Sequence, residues 1–165
     1  MKSKYIISLL LVLPVLGACN QTDDVIKIFT GKTWKLNFVN DSKGDCTKGY
    51  FLAEAQWERS MKLLSEKGNF VITFTGAEID GEVIGAYGGR AAGTPISGKW
   101  KANGENNAFR ISGQAAPGNN EDVLGRVFIN ALINAYKYEG DTAGNLRIYF
   151  KEGNVDKYLL LYANN

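Results

Sequence analysis

Short runs in which apolar and polar residues alternate one for one, punctuated by glycine, constrain this chain more than any other feature. Trp34-Lys35-Leu36-Asn37-Phe38 is such a run, and it points Trp34, Leu36 and Phe38 to one side. Phe70-Val71-Ile72-Thr73-Phe74 does the same with Phe70, Ile72 and Phe74, and Ile96 to Ala102 with Ile96, Gly98, Trp100 and Ala102. A side-chain period of two is that of a strand with one face buried. Asp80-Gly81 lies between Ala77-Glu78-Ile79 and Glu82-Val83-Ile84, which predicts a two-residue hairpin. After a turn at Asn103-Gly104 the pattern resumes with Phe109 and Ile111. Near the end Leu146, Ile148 and Phe150 oppose Arg147, Tyr149 and Lys151. Lys157 to Tyr162 is apolar on both faces, as a central or closing strand would be.

Two segments carry helical spacing instead. Tyr50, Ala53, Trp57, Met61 and Leu64 form a stripe that Gly68 can end. Asn120-Glu121-Asp122 can open a second helix, whose apolar face is Leu124, Phe128, Ala131, Leu132 and Ala135. The expected fold is α+β: a mainly antiparallel sheet, curled or closed into a small barrel, with two helices. The expected domain organisation is a leader over residues 1–18, a tether over 19–30 and one β-rich domain over 31–165.

The leader follows from the opening residues. Lys2 and Lys4 precede an apolar run from Ile6 to Leu16, which has the length of a signal-peptide core and is too short to span a bilayer. Leu16-Gly17-Ala18-Cys19 then resembles a bacterial lipobox. The resemblance implies cleavage before Cys19 and attachment of acyl chains, palmitate among them, to that cysteine. At about 0.8 kcal/mol per buried methylene, two or three chains form a stable anchor where one would be marginal. Asp23 and Asp24, just beyond, resemble the surface-export signal of Bacteroidetes lipoproteins. An outer-membrane location is expected, with the cell surface favoured over the periplasmic face.

Charge and the rarer residues exclude several functions. Of 19 Lys+Arg and 17 Asp+Glu, Lys2 and Lys4 lie in the leader. The mature chain is therefore balanced at 17 and 17, with no basic patch for nucleic acid. Histidine is absent, which removes the commonest general base and the commonest zinc ligand. Once Cys19 is lipidated, Cys46 has no cysteine partner in the chain and reads as a loop or part-buried thiol. No cofactor and no metal site is expected.

Gly31-Lys32-Thr33-Trp34-Lys35-Leu36 looks like the opening strand of lipocalin-like lipoprotein domains of Bacteroidetes. The tail resembles the META domain of HslJ-type lipoproteins. Phe128-Ile129-Asn130-Ala131-Leu132 precedes Asn145 to Phe150 and then Tyr158-Leu159-Leu160-Leu161-Tyr162. The Gly-Cys-Asn element common in META domains is missing, its nearest equivalent being Gly88-Gly89-Arg90. These resemblances imply a small β fold on a lipid anchor and no catalytic residue.

The most unusual internal stretch is Gly85 to Thr94, rich in glycine and expected as a flexible turn. Glycine-rich loops can aim N–H groups at an anion, but this one lacks the ending of a P-loop. Should a ligand bind there, Arg90 is its natural charge and Tyr87 its stacking surface. Trp34, Trp57 and Trp100 fall on inferred core faces, which weighs against a sugar platform. The leading expectation is a non-enzymatic, membrane-anchored protein that binds a small apolar ligand, a glycan or an envelope protein. The alternatives are a hydrolase using carboxylates, Ser/Thr, Lys or Tyr without histidine, and an accessory or inhibitor-like module presenting loops around Tyr87 to Pro95.

Overall fold

A computed structural model describes residues 21–164, so Cys19 and the segment before it lie outside the described residues. The chain runs α1 (Gln21–Phe29), β1 (Thr33–Asp41), β2 (Gly44–Asp45), a 3₁₀ turn (Thr47–Tyr50), α2 (Glu54–Ser65), β3 (Val71–Ile79), β4 (Glu82–Arg90), β5 (Pro95–Asn103) and β6 (Phe109–Ser112). It continues with α3 (Val123–Ile133), β7 (Ala135–Gly140), β8 (Asn145–Glu152) and β9 (Val155–Asn164).

All strand pairings are antiparallel, in the order β6-β5-β4-β3-β1-β9-β8-β7, with β2 attached to β1. The expected barrel is corrected: the sheet of nine strands is open. It curls until β6 and β7 approach, but only an isolated bridge joins them, Ala108 opposite Lys137. The Tyr138 N–H donates to the Asn107 carbonyl at 2.9 Å beside it. A seam with one staple separates two sheet edges.

The curl depends on glycines placed opposite large inward side chains. On the concave face Gly85 pairs with Trp100, Gly98 with Tyr87 and Gly89 with Ile72. A Cβ on Gly85 would stand 1.7 Å from the Thr75 carbonyl oxygen, and one on Gly89 would stand 2.0 Å from that of Val71. Only glycine lets the backbones come this close. The stretch expected as a flexible turn is therefore strand β4 as far as Arg90, and the turn is only Ala91 to Thr94. At the other end of β4 the Asp80-Gly81 hairpin forms as expected, both residues having positive φ.

The expected inner faces are buried for the most part, with Gly98 and Ile111 half-buried and Phe38 exposed. Trp34, Leu36, Phe70, Ile72, Phe74, Ile96, Trp100, Phe109, Leu146, Ile148 and Phe150 all lie in the core. Phe38 does not, because β1 shifts register against β9 between Leu36 and Phe38. That bulge reverses the alternation, burying Val39 and turning Phe38 outward.

Among the described residues there are three α-helices, against an expectation of two. The added one, α1, occupies most of the expected tether. Its Val25, Ile28 and Phe29, spaced at i, i+3 and i+4, face the core. Phe29 sits inside the curl with Phe74, Trp100, Phe109 and Tyr138 at ring-centroid distances of 5.1, 4.8, 5.3 and 4.9 Å. The Trp34 indole N–H fixes the end of the helix by donating to the Phe29 carbonyl at 3.2 Å. Toward the other end of β3, α3 brings Phe128 against Phe70, 6.1 Å between centroids. Helix α2 lies outside this core, with Trp57, Met61 and Leu64 only half-buried. No helix among the described residues is long and apolar enough to cross a membrane.

Candidate functional site

The interior of the curl is filled by Phe29 and the rings around it, so the concave face is core. Of the sequence-predicted ligand residues, Tyr87 points into that core from the middle of β4. Burial pushes its phenol up to about 12. Its hydroxyl meets the Gln114 side chain at the rim, at 3.5 Å. Arg90 is exposed at the end of the same strand. Three positions separate them, so alternation places them on opposite faces and the fold does not bring them together. Cys46 is half-buried, its Sγ donating to the Val39 carbonyl at 3.3 Å. Burial raises its pKa, which leaves a poor nucleophile.

One Lys-Tyr-Glu cluster has the look of catalytic machinery. The Lys157 ammonium donates to Glu152 and, at 3.0 Å, to the Tyr50 hydroxyl. Burial works against that charge, but the bonds to Glu152 and Tyr50 outweigh it and move the Lys157 pKa upward. Burial, with Glu152 nearby, pushes the Tyr50 phenol up to about 12. Neither group can supply a base near neutrality, and the cluster ties the 3₁₀ turn to the β8–β9 hairpin. Among the described residues no group of three or more Asp, Glu, Cys or His side chains is placed to hold a metal ion.

A second polar cluster lies at the start of α3. Asp122 caps this helix, its Oδ1 accepting from the Leu124 N–H at 3.0 Å and from the buried Ser60 hydroxyl of α2 at 2.6 Å. Beside it Glu121 is 5 % exposed, and its Oε1 accepts from the N–H groups of Gly93 at 2.9 Å and Asp122 at 3.0 Å. Burial alone would raise its pKa. The Thr94 hydroxyl and the N–H groups of Gly93, Asp122 and Thr94 overcome that and hold the carboxyl below its usual value. The acid pair noted in the sequence thus builds the start of a helix and docks α2 on it.

Two clefts flank this helix start. One, of about 450 Å³, is lined by Gln56, Arg59, Asn119, Asn120, Glu121, Asp122, Val123 and Arg126. The other, of about 540 Å³, continues along α3 past Val127, Asn130 and Asn134 to a far wall of Phe150, Lys151, Glu152 and Gly153. Both share Val123 and Arg126, so they form one groove bounded by α2 at one end and the β8–β9 hairpin at the other. The Arg126 guanidinium is oriented by donating to the Glu121 carbonyl at 2.6 Å. Sequence reasoning singled out Glu121 and Asp122 but not Arg126, Asn130 or Asn134. The available signal was their i, i+4, i+8 spacing, a polar stripe opposite the apolar face of α3.

The family model described as "Domain of unknown function (DUF4847)" matches residues 20–163, and the chain belongs to that family. Among solved structures, the chain is similar to a DUF4847 family protein from Bacteroides vulgatus ATCC 8482, at 24 % identity. That similarity covers 85 % of this chain and 97 % of that one, with a TM-score of 0.60, and it shows the shared fold. No curated protein matches the chain.

Proposed function

We propose that this DUF4847 protein is a non-enzymatic lipoprotein of the outer membrane that binds its ligand or partner on its outer surface. Kinship with the META-domain and lipocalin-like lipoproteins is part of the proposal, supported by the Gly31 to Leu36 opening and the Phe128 to Leu132 helix. The anchor is supported by Leu16-Gly17-Ala18-Cys19, and display at the cell surface by Asp23-Asp24. The observation that carries the mode of binding is Phe29, fully buried among four other aromatic rings inside the curled sheet. A binding protein of lipocalin type keeps that volume for a ligand. Here it is packed with side chains, which leaves the exterior for recognition, and the groove along α3 is the part of it assigned to that role.

A non-catalytic role fits the state of the ionisable groups. Glu121 and Asp122 are engaged in building the helix start, and Lys157 is held protonated. Mass spectrometry of the mature N-terminus, with cell fractionation, tests the anchor. Cys19 is expected to carry acyl chains, and Cys19→Ala to release the protein from the membrane fraction. An unmodified Cys19 in water-soluble native protein overturns the reading.

A further inference from the structure

We infer that the groove along α3 is a binding site for a neutral oligosaccharide; this rests on the exterior-binding reading above and names its ligand class. The charges lining the groove cancel. Arg59, Arg126 and Lys151 stand against Glu121, Asp122 and Glu152. A site for a phosphate or a sulfated polymer would carry an excess of cations, and a site for a cation an excess of carboxylates. Neither excess is present.

What the groove offers in quantity is amide. Gln56, Asn119, Asn120, Asn130 and Asn134 line its length. A planar amide presents a donor and an acceptor side by side, and a pair of neighbouring sugar hydroxyls presents the complementary acceptor and donor. The amide groups of Asn119, Asn120 and Asn130 make no hydrogen bond to another described residue, and neither does the Arg59 guanidinium. Between these polar groups the part-exposed Val123 and Val127 give a small apolar step to meet the C–H face of a pyranose, with Ala131 and Phe150 buried beneath the floor. From Val123 to Asn134 the helix rises about 16 Å at 1.5 Å per residue, which suits an oligosaccharide better than a single sugar.

Two features keep this lining in place without a ligand. The Ser60–Asp122 bond fixes α2, and hence Gln56 and Arg59, against the start of α3. The Arg126–Glu121 bond fixes the shared residue at the middle of the groove. A site built in advance loses less entropy on binding.

The test is a glycan array of neutral and acidic oligosaccharides probed with the purified mature protein, followed by calorimetric titration of the best binder. Binding confined to neutral glycans is expected. Arg126→Ala should raise Kd at least about tenfold and Asn130→Ala about fivefold, as the loss of charged and neutral hydrogen bonds implies. Lys99→Ala, on the outer face of β5, should leave Kd unchanged. Thermal unfolding of each variant confirms that it folds. Binding of acidic glycans alone, binding of none, or affinity indifferent to both groove variants overturns the assignment. Acylation of Cys19 and envelope retention are measured separately, so the anchored, exterior-binding reading can survive that failure or fail without it.

Discussion

Removing one ring near the N-terminus tests whether α1 belongs to the domain. Phe29 is completely buried, and four aromatic rings stand within 5.3 Å of its own. Phe-to-Ala changes in a core cost about 3–5 kcal/mol, more where the walls cannot relax into the cavity. The walls here are large, mutually packed rings, Trp100 and Phe74 being 5.1 Å apart, so little collapse is available. Lost edge-to-face and stacked pairing adds about 0.5–1.5 kcal/mol. Phe29→Ala should therefore cost about 4–5 kcal/mol, a large share of the roughly 5–15 kcal/mol that holds such a domain. Calorimetry should show a Tm lower by about 10–15 °C. Guanidinium unfolding followed by tryptophan fluorescence should give the same loss, since Trp100 lies 4.8 Å from the altered ring. Lys27→Ala, exposed on the same helix, should stay within about 0.5 kcal/mol of the parent. A cost for Phe29→Ala below about 1 kcal/mol would refute the reasoning and return residues 21–29 to the role of a tether.

Gly89→Ala forces a Cβ toward the Val71 carbonyl and should cost about 2–3 kcal/mol, whereas Gly88→Ala, with nothing within 4 Å, should be close to neutral. Equal effects in equilibrium unfolding would count against glycine as the source of the curl. The Glu121 carboxyl is held below its usual value in the folded chain. Its contribution is present above the unfolded value of about 4.3 and is lost as the pH falls through the lower folded value. Glu121→Gln should therefore be less stable than the parent at neutral pH, with the gap narrowing in acid. A gap that does not change with pH would assign Glu121 no electrostatic role.

The strand faces were readable because burial on one side leaves a period-two record in the sequence, as in Phe70, Ile72 and Phe74. The apolar face of α3 was readable for the same reason at helical spacing. Phe38 was misplaced because a bulge is a property of the pairing between two strands and leaves no local mark. The glycines of β4 read as a turn in the sequence because their large partners, Trp100 and Ile72, sit on other strands. Strand β7 is hidden in the sequence because its ladder with β8 slips between Ala135 and Lys137 and breaks the alternation. Helix α1 left a faint signal in Val25, Ile28 and Phe29, overshadowed by the polar residues before it. The groove was the least accessible feature, since its walls come from α2, α3 and the β8–β9 hairpin. One wall alone does not reveal a groove.

The register of β1 on β9 carries a consequence for how the molecule comes into being. The earliest strand spends most of its length hydrogen-bonded to the latest one, from Thr33 opposite Asn164 to Asn40 opposite Tyr158. A polypeptide emerging N-terminus first, from a ribosome or through a translocation pore, must hold that ladder open until its final residues appear. Such distant partners make for slow folding, on the order of milliseconds to seconds. The sequential pairings of β3 to β6 and of β7 with β8 do not wait for β9, so closing the sheet around β1 is the step that comes last.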